Sequence, residues 1–193
     1  MSQSEIAILP SSAERLLDAA ERLVAERGAA HLTLDAVAAE AGVSKGGLLY
    51  HFPTKAALLE GMIKRHLRDI DERAARLAAD WRGPGAPPLA HVVAARMRAI
   101  LEKASSHRAV GAAMLAAAAG NPALLQPCRQ RCRESLDEMA ALPVGFERAA
   151  ILQLAVDGLL LGELLQMSPF TDEERCRVVA AILDAITNAE QPS

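Results

Sequence analysis

Apolar side chains recur every three or four residues along almost the whole chain, which is the spacing of amphipathic helices. The first stripe follows Ser11, and two much shorter stripes are bounded by Thr33 and Gly42 and by Ser44 and Pro53. Serine and threonine side chains accept hydrogen bonds from the free N–H groups at helix starts, whereas glycine and proline end helices. The first 53 residues are therefore predicted to form three helices, of which the second and third are short.

Longer stripes predict further helices beyond Thr54. The fourth stripe keeps one apolar face for about 28 residues, which corresponds to a rod of about 40 Å. The segment Gly83-Pro84-Gly85-Ala86-Pro87-Pro88 cannot be helical and is interpreted as a connector. The remaining stripes predict a fifth helix from Leu89, a sixth over about 110–120, a seventh capped by Asn121, an eighth over about 146–166 and a ninth after Thr171. The prediction is an all-α chain of about nine helices.

The composition agrees with helices and narrows the class of protein. The chain has 193 residues, 51% of them hydrophobic and 3% aromatic, with a formal net charge of −3. So few aromatic residues argue against β-sandwiches and barrels, and the apolar content argues against a disordered chain. No window offers about 18 uninterrupted apolar residues, so no membrane span is expected. Residues 1–5 lack the basic flank of a signal peptide, and we therefore expect a cytoplasmic protein.

No metal, cofactor or catalytic site is expected. Cys128, Cys132 and Cys176 are interpreted as free thiols because no secretion signal is present. Cys128 and Cys132 are four residues apart, so they form either a redox or metal pair or, as we prefer, two ordinary half-buried helix residues. The histidines at 66, 91 and 107 fall on separate predicted helices without a Glu-x-x-His motif. A Gly-x-Ser-x-Gly turn and a clustered base and nucleophile are also missing, so we do not expect an enzyme.

The second and third helices form a helix-turn-helix pattern. They are joined by a turn at Gly42 and Val43 that leaves no room for a loop. Ala38 and Gly42 are small where two helices must cross closely, while Val43 and Leu48 supply an apolar joint. The third helix is too short and too polar to belong to a core, which favours a surface role in recognition.

The stretch LTLDAVAAEAGVSKGGLLYHFPTKAALL, which covers 32–59, resembles the DNA-binding domain of the tetracycline-repressor (TetR) family. The resemblance covers about residues 11–60. It implies a homodimer whose two recognition helices enter successive major grooves of an operator, with a DNA-binding domain over 11–55 and an effector and dimerisation domain over 56–190. The residues carried over as DNA contacts lie at base edges or the flanking backbone (Lys45, Gly46, Gly47, Tyr50) and at phosphates (Thr33, His51, Lys55). Ser44 is a further candidate DNA contact.

Two features depart from the family pattern. The family commonly places a tyrosine where this chain has Leu49. Residues 1–52 also carry only four Lys and Arg against seven Asp and Glu, whereas a nucleic-acid binder usually has a basic footprint. We therefore expect weak nonspecific DNA affinity. The alternative is a helix-turn-helix that docks a protein, and a steep salt dependence of DNA binding would discriminate between the two.

The two glycines at the start of the third helix have competing explanations. Gly46 and Gly47 each cost helix stability relative to alanine. Either they sit in a first turn where that cost is small, or they leave the groove-facing surface bare so that the backbone can approach the bases. On the second interpretation, alanine at both positions raises the melting temperature and lowers operator affinity.

Candidate ligand and dimer residues lie in the second domain. Methionine adapts to irregular cavities but is also common in plain cores, and Arg96 either anchors an anionic ligand or pairs with an acid. The candidate pocket residues are Trp81, Val93, Arg96, Met97, Met114, Cys128 and Cys132. Small residues on the eighth helix and the apolar stripe of the ninth favour an intermolecular four-helix bundle. The candidate interface residues are Ala155, Gly158, Leu159, Gly162, Val179, Ile182 and Ile186.

Together these expectations describe a ligand-relieved transcriptional repressor. The resemblance implies that a small-molecule effector among helices four to seven shifts the fourth helix and changes the spacing of the two recognition helices. Operator affinity then falls, and by linkage the effector binds less tightly when DNA is present.

Overall fold

The computed structural model describes residues 11–28, 31–83, 85, 87–106, 111, 115 and 117–188. In this part of the chain all regular structure is helical, which confirms the predicted fold class. The helices are α1 (Ser12–Arg27), α2 (Leu34–Ala41), α3 (Lys45–His51), α4 (Lys55–Ala79), α5 (Leu89–Ser106), α6 (described over 117–120), a 3₁₀ turn (Pro122–Leu125), α7 (Gln126–Ala140), α8 (Phe146–Leu164) and α9 (Asp172–Thr187). None of these helices is long and apolar enough to cross a membrane.

The chain divides into two compact units, and the division falls within α4, between Met62 and Ile63. The first unit is built around the inner faces of α1, α2 and α3 and the first turns of α4. Its largest fully buried side chains include Leu16, Leu23, Leu32, Val37, Leu48, Leu58 and Met62. An ion pair of 3.2 Å between Arg22 of α1 and Glu40 of α2 also joins two of its helices.

The second unit has a core formed by α5, α7, α8 and α9. The side chains of Met97, Met139, Val156 and Ile186 are completely buried in it. Arg175 of α9 adds a partly buried ion pair with Glu163 of α8 at 2.9 Å and donates a hydrogen bond to the carbonyl oxygen of Leu101. A separate small apolar cluster joins α4 to α5 through Ile70, Ala74 and Ala99.

Helix ends agree with the capping residues read from the sequence in most places. The side chains of Ser11, Thr33, Ser44 and Thr54 each accept a hydrogen bond from a backbone N–H three residues later. Thr171 and Glu174 complete a reciprocal capping box at α9.

The differences from the predicted elements are local. Asn121 makes no side-chain cap, because a 3₁₀ turn with Pro122 at its start precedes α7. Helix α4 ends at Ala79 instead of continuing to Trp81. The predicted stripe residues of the sixth helix, Val110, Ala113 and Met114, lie outside the described residues.

Three residues predicted at a dimer interface are instead core residues of their own chain. Leu159, Ile182 and Ile186 are 8%, 7% and 0% exposed and pack in the core of the second unit. Ala155 and Val179 pack against the same core. The prediction was wrong for Leu159, Ile182 and Ile186 because these side chains of α8 and α9 already pack in the core of their own chain, which leaves no room for a partner.

The burial of Ile182 predicts the effect of a charge placed at this position. We expect Ile182→Asp to lower the free energy of unfolding by several kcal/mol, because the carboxylate would be buried without a partner. Thermal unfolding followed by circular dichroism measures the loss. Ala181→Asp is the control, since Ala181 is exposed on the same helix. Equal melting temperatures for the two variants would contradict the core assignment.

Candidate nucleic-acid interface

Helix α3 is fixed to the first unit by one face and leaves the other face open. Leu48 is fully buried and Phe52 is 9% exposed, so both anchor the helix. Tyr50 is 85% exposed, and its ring meets that of His51 in a T-shaped arrangement with 5.1 Å between centroids. Leu49 is 38% exposed. The open face therefore presents a phenol and an imidazole.

The turn before α3 determines how that helix is held. Gly42 ends α2 with φ 63° and ψ 34°, the left-handed conformation that glycine adopts without strain. The N–H of Gly42 donates to Ala39 and that of Val43 to Ala38, which is the Schellman pattern. Ser44 follows at once as the N-cap of α3, accepting from Gly47 N–H at 3.1 Å. Only Val43 separates the two caps.

Lys45 is the first residue of α3 and lies in an ion pair that joins α3 to α2. Its Nζ lies 2.9 Å from Oδ1 of Asp35, and the two side chains are 67% and 72% exposed. Lys45 is thus exposed at the start of the helix, where the resemblance places a base contact. The carboxylate of Asp35 lies next to it. Lys55 begins α4, where Thr54 caps the helix, and it is also exposed.

The two glycines of α3 are not equivalent. A Cβ added to Gly46 would meet nothing within 4 Å. A Cβ added to Gly47 would lie 2.9 Å from Cγ1 of Val43 and 3.3 Å from Oγ of Ser44. A side chain at Gly47 would therefore crowd the turn, whereas Gly46 leaves an open surface. The expectation that alanine raises the melting temperature now applies to Gly46 alone.

Sequence reasoning missed Asp35, although a signal was available. It stands two residues after the cap Thr33, and an acid in the first turn of a helix is ordinarily read as a favourable partner of the helix dipole. Because the helix dipole already accounts for an acid at this position, a tertiary contact with Lys45, ten positions further along the chain, was not expected.

In the second unit a groove of about 310 Å³ lies between α4 and α7. It is lined by Lys64, Leu67, Arg68, Asp71, Pro127, Gln130, Arg131 and Glu134. Arg131 donates to Oδ1 of Asp71 at 2.6 Å and to Glu134 at 3.0 Å. None of the pocket residues predicted from the sequence lines this groove.

Several of those predicted pocket residues have other positions. Val93 and Met97 are buried in the core of the second unit. Arg96 is already paired, through a short contact with Glu138 and a longer one of 3.9 Å with Asp71, so an anionic ligand would have to compete with two carboxylates. The ring of Trp81 lies against His91, with 5.1 Å between centroids. Met114 lies outside the described residues.

The two cysteines of α7 lie one helical turn apart. Cys128 and Cys132 are both free, the first half-buried and the second more exposed. Burial raises the pKa of both thiols, and the neighbouring carboxylate of Asp157 raises that of Cys132 further. Among the described residues no group of three or more Cys, His, Asp or Glu side chains is arranged to hold a metal ion.

Helix α8 has a second apolar face that is exposed in the part of the chain that the structure describes. Ile151, Leu154, Leu161 and the C-cap residue Leu165 are 65%, 68%, 45% and 52% exposed. Together with Gly158 they repeat at alternating steps of three and four residues, the spacing of a coiled-coil seam. Of the small residues predicted there, only Gly158 lies in this row. Gly162 instead approaches its own chain, since its added Cβ would lie 3.5 Å from Cα of Ser168.

Comparison with known proteins places both units in one family. The model of the bacterial regulatory proteins of the tetR family matches residues 16–62. The model of the tetracyclin repressor-like C-terminal domain matches residues 90–187, about half of the chain.

Individual relatives match more locally in sequence and more broadly in structure. The nucleoid occlusion factor SlmA of Aliivibrio fischeri, strain ES114, is 38% identical over 72 residues, which span 37% of this chain and 37% of SlmA. The multidrug binding protein EbrR complexed with ethidium is 28% identical with a TM-score of 0.58, covering 89% of this chain and 98% of EbrR. A TetR-family member from Streptomyces coelicolor is also 28% identical, with a TM-score of 0.64, covering 90% of this chain and 98% of that one. With two consecutive domain matches and an open α3 on a helix-turn-helix, this chain belongs to the TetR family of DNA-binding transcriptional regulators.

Proposed function

We propose that the chain is a repressor that binds a two-fold symmetric operator as a homodimer and releases it when a small molecule binds. The observation that carries this proposal is the geometry of α3. Leu48 and Phe52 anchor the helix, while Lys45, Gly46 and Tyr50 lie on its exposed surface. In helix-turn-helix proteins this part of the recognition helix contacts base edges in the major groove.

Backbone contacts would come from the neighbouring helix starts. Thr33 and Lys55 stand at the N-termini of α2 and α4, where free N–H groups favour phosphate. His51 ends α3 and is exposed. These groups position the protein on DNA without reading sequence, so the base contacts must come from α3.

The exposed row of α8 supports the dimer. Four large apolar side chains at coiled-coil spacing favour burial against a second copy, because an apolar patch of this kind is rare on a monomer. A dimer would supply two copies of α3, and two copies explain a symmetric operator.

The groove between α4 and α7 supports effector control. It is lined by charged and apolar groups of a helix that runs on from the DNA-binding unit. EbrR, a relative at 28% identity, is a multidrug binding protein solved in complex with ethidium. A ligand in this region would act by shifting α4, and its effect on DNA binding must be reciprocal.

Selection of binding sites from a random double-stranded DNA library with the purified protein tests the proposal. We expect one enriched two-fold symmetric motif, bound with an affinity that falls steeply with salt. Absence of any enriched symmetric site would contradict the proposed function and favour a helix-turn-helix that docks a protein.

The selected operator permits a test of the α3 contacts. We expect Lys45→Ala and Tyr50→Ala each to weaken operator binding by about 1–3 kcal/mol per half-site. The melting temperature should hardly change, because both side chains are exposed. Lys55→Ala is the matched comparison, since loss of a phosphate contact weakens all sequences about equally and reduces the salt slope. Unchanged affinity and sequence preference in Lys45→Ala would refute the recognition assignment.

The glycines of α3 separate packing from recognition. We expect Gly46→Ala to keep or slightly raise the melting temperature, because its Cβ meets nothing, and to lower operator affinity by keeping the backbone away from the bases. Gly47→Ala should lower the melting temperature, because its Cβ crowds Val43. Thermal unfolding and operator titration measure the two effects. Wild-type operator affinity in Gly46→Ala would mean that the open surface has no role in binding.

The dimer interface can be tested by placing a charge on the exposed row of α8. We expect Leu154→Glu to give a folded monomer, because the side chain is 68% exposed in the single chain but would be buried between two copies. Sedimentation velocity measures the oligomeric state. Leu89→Glu is the control, since this leucine of α5 is also exposed. A dimer that survives Leu154→Glu, or a monomeric wild type, would rule out this interface.

A further inference from the structure

We propose that Asp35 reads a cytosine in each operator half-site, next to a guanine that Lys45 contacts. Asp35 would then be a specificity-determining residue of the DNA surface, contributed by α2 and not by the recognition helix. The inference rests on the DNA-binding function proposed above and deepens it.

The geometry places a carboxylate at the start of the recognition helix. Oδ1 of Asp35 lies 2.9 Å from Nζ of Lys45, and both side chains are more than 60% exposed. An exposed ion pair of this kind contributes little to folding stability. The fold therefore does not depend on the ion pair. Its position at the start of the recognition helix favours a role in DNA recognition.

The two side chains match the major-groove edges of two neighbouring base pairs, one of which presents a guanine and the other a cytosine. Lysine donates to the O6 and N7 acceptors of guanine, and aspartate accepts from the N4 amino group of cytosine. A carboxylate is repelled by phosphate, so a contact of Asp35 with the DNA backbone is disfavoured. Gly46 follows Lys45 and carries no side chain, and a Cβ added to it would meet nothing within 4 Å, so the surface next to Lys45 is open.

The charge balance of the first unit supports the same role. Lys45 is the only Lys or Arg of α3, and Asp35 neutralises it. Residues 1–52 also carry more acids than bases. Attraction to phosphates is therefore weak at α3. A DNA sequence that offers hydrogen-bond partners to both Lys45 and Asp35 would be bound more tightly than random DNA.

Site selection with matched variants tests the proposal. The set comprises the wild type, Asp35→Ala, Asp35→Asn, Lys45→Ala and Glu26→Gln, with folding checked by circular dichroism. Glu26 is an exposed acid of α1, so Glu26→Gln also removes one acidic charge from the first unit but does not change the pair with Lys45. Asp35→Asn keeps the shape of the side chain if Asp35→Ala folds poorly.

For Asp35→Ala we expect the cytosine preference to disappear from one position in each half-site while the guanine preference remains. Affinity for the wild-type operator should fall about fivefold to tenfold per half-site, and binding to random DNA should strengthen. Asp35→Asn should shift the same position toward adenine, which asparagine contacts in the major groove. Lys45→Ala should lose guanine and keep cytosine, and Glu26→Gln should select the wild-type motif.

Two outcomes would overturn the inference while leaving the proposed function intact. One is an Asp35→Ala motif identical to that of the wild type. The other is loss of the guanine preference in Asp35→Ala, which would mean that Asp35 only positions Lys45. If the wild type itself enriches no symmetric site, the proposed function fails, and this inference fails with it.

Discussion

The candidate DNA surface depends on the reversal of the chain at Gly42. A left-handed residue there lets α2 end and α3 begin with only Val43 between Gly42 and the next cap, Ser44. The positions of Lys45 and Asp35 follow from this turn, because it brings the two helix starts together across ten residues of sequence. A residue with a side chain at position 42 would have a strained backbone conformation. A longer turn would separate the charged pair and displace the open face of α3.

The first unit carries a net negative charge, whereas DNA-binding domains usually have a basic surface. In such a unit the general attraction to phosphate is small, so the affinity of the proposed symmetric complex would come from a few contacts made twice. The proposed recognition therefore depends on a few small features around the start of α3. Gly46 leaves open surface, Lys45 supplies one cation, and Asp35 of α2 forms an ion pair with that cation.

Helix α8 shows how one helix can belong to two apolar environments. Leu152, Val156 and Leu159 lie in the core of the second unit, while Ile151, Leu154, Leu161 and Leu165 lie on the surface. The helix is therefore apolar almost all round. Periodicity identifies a single stripe reliably, but it cannot say which of two stripes faces the chain's own core.

The sequence by itself determined the helices, most of their caps and the family, since these depend on local patterns of apolar spacing, cap residues and a long ordered motif at 32–59. Only the tertiary structure decided which apolar faces are buried. It showed that Ile182 and Ile186, predicted at an interface, lie in the core. It also decided the partners of Arg96 and the pairing of Lys45 with Asp35. Contacts between helices depend on how whole elements pack, and no single segment of sequence encodes that packing.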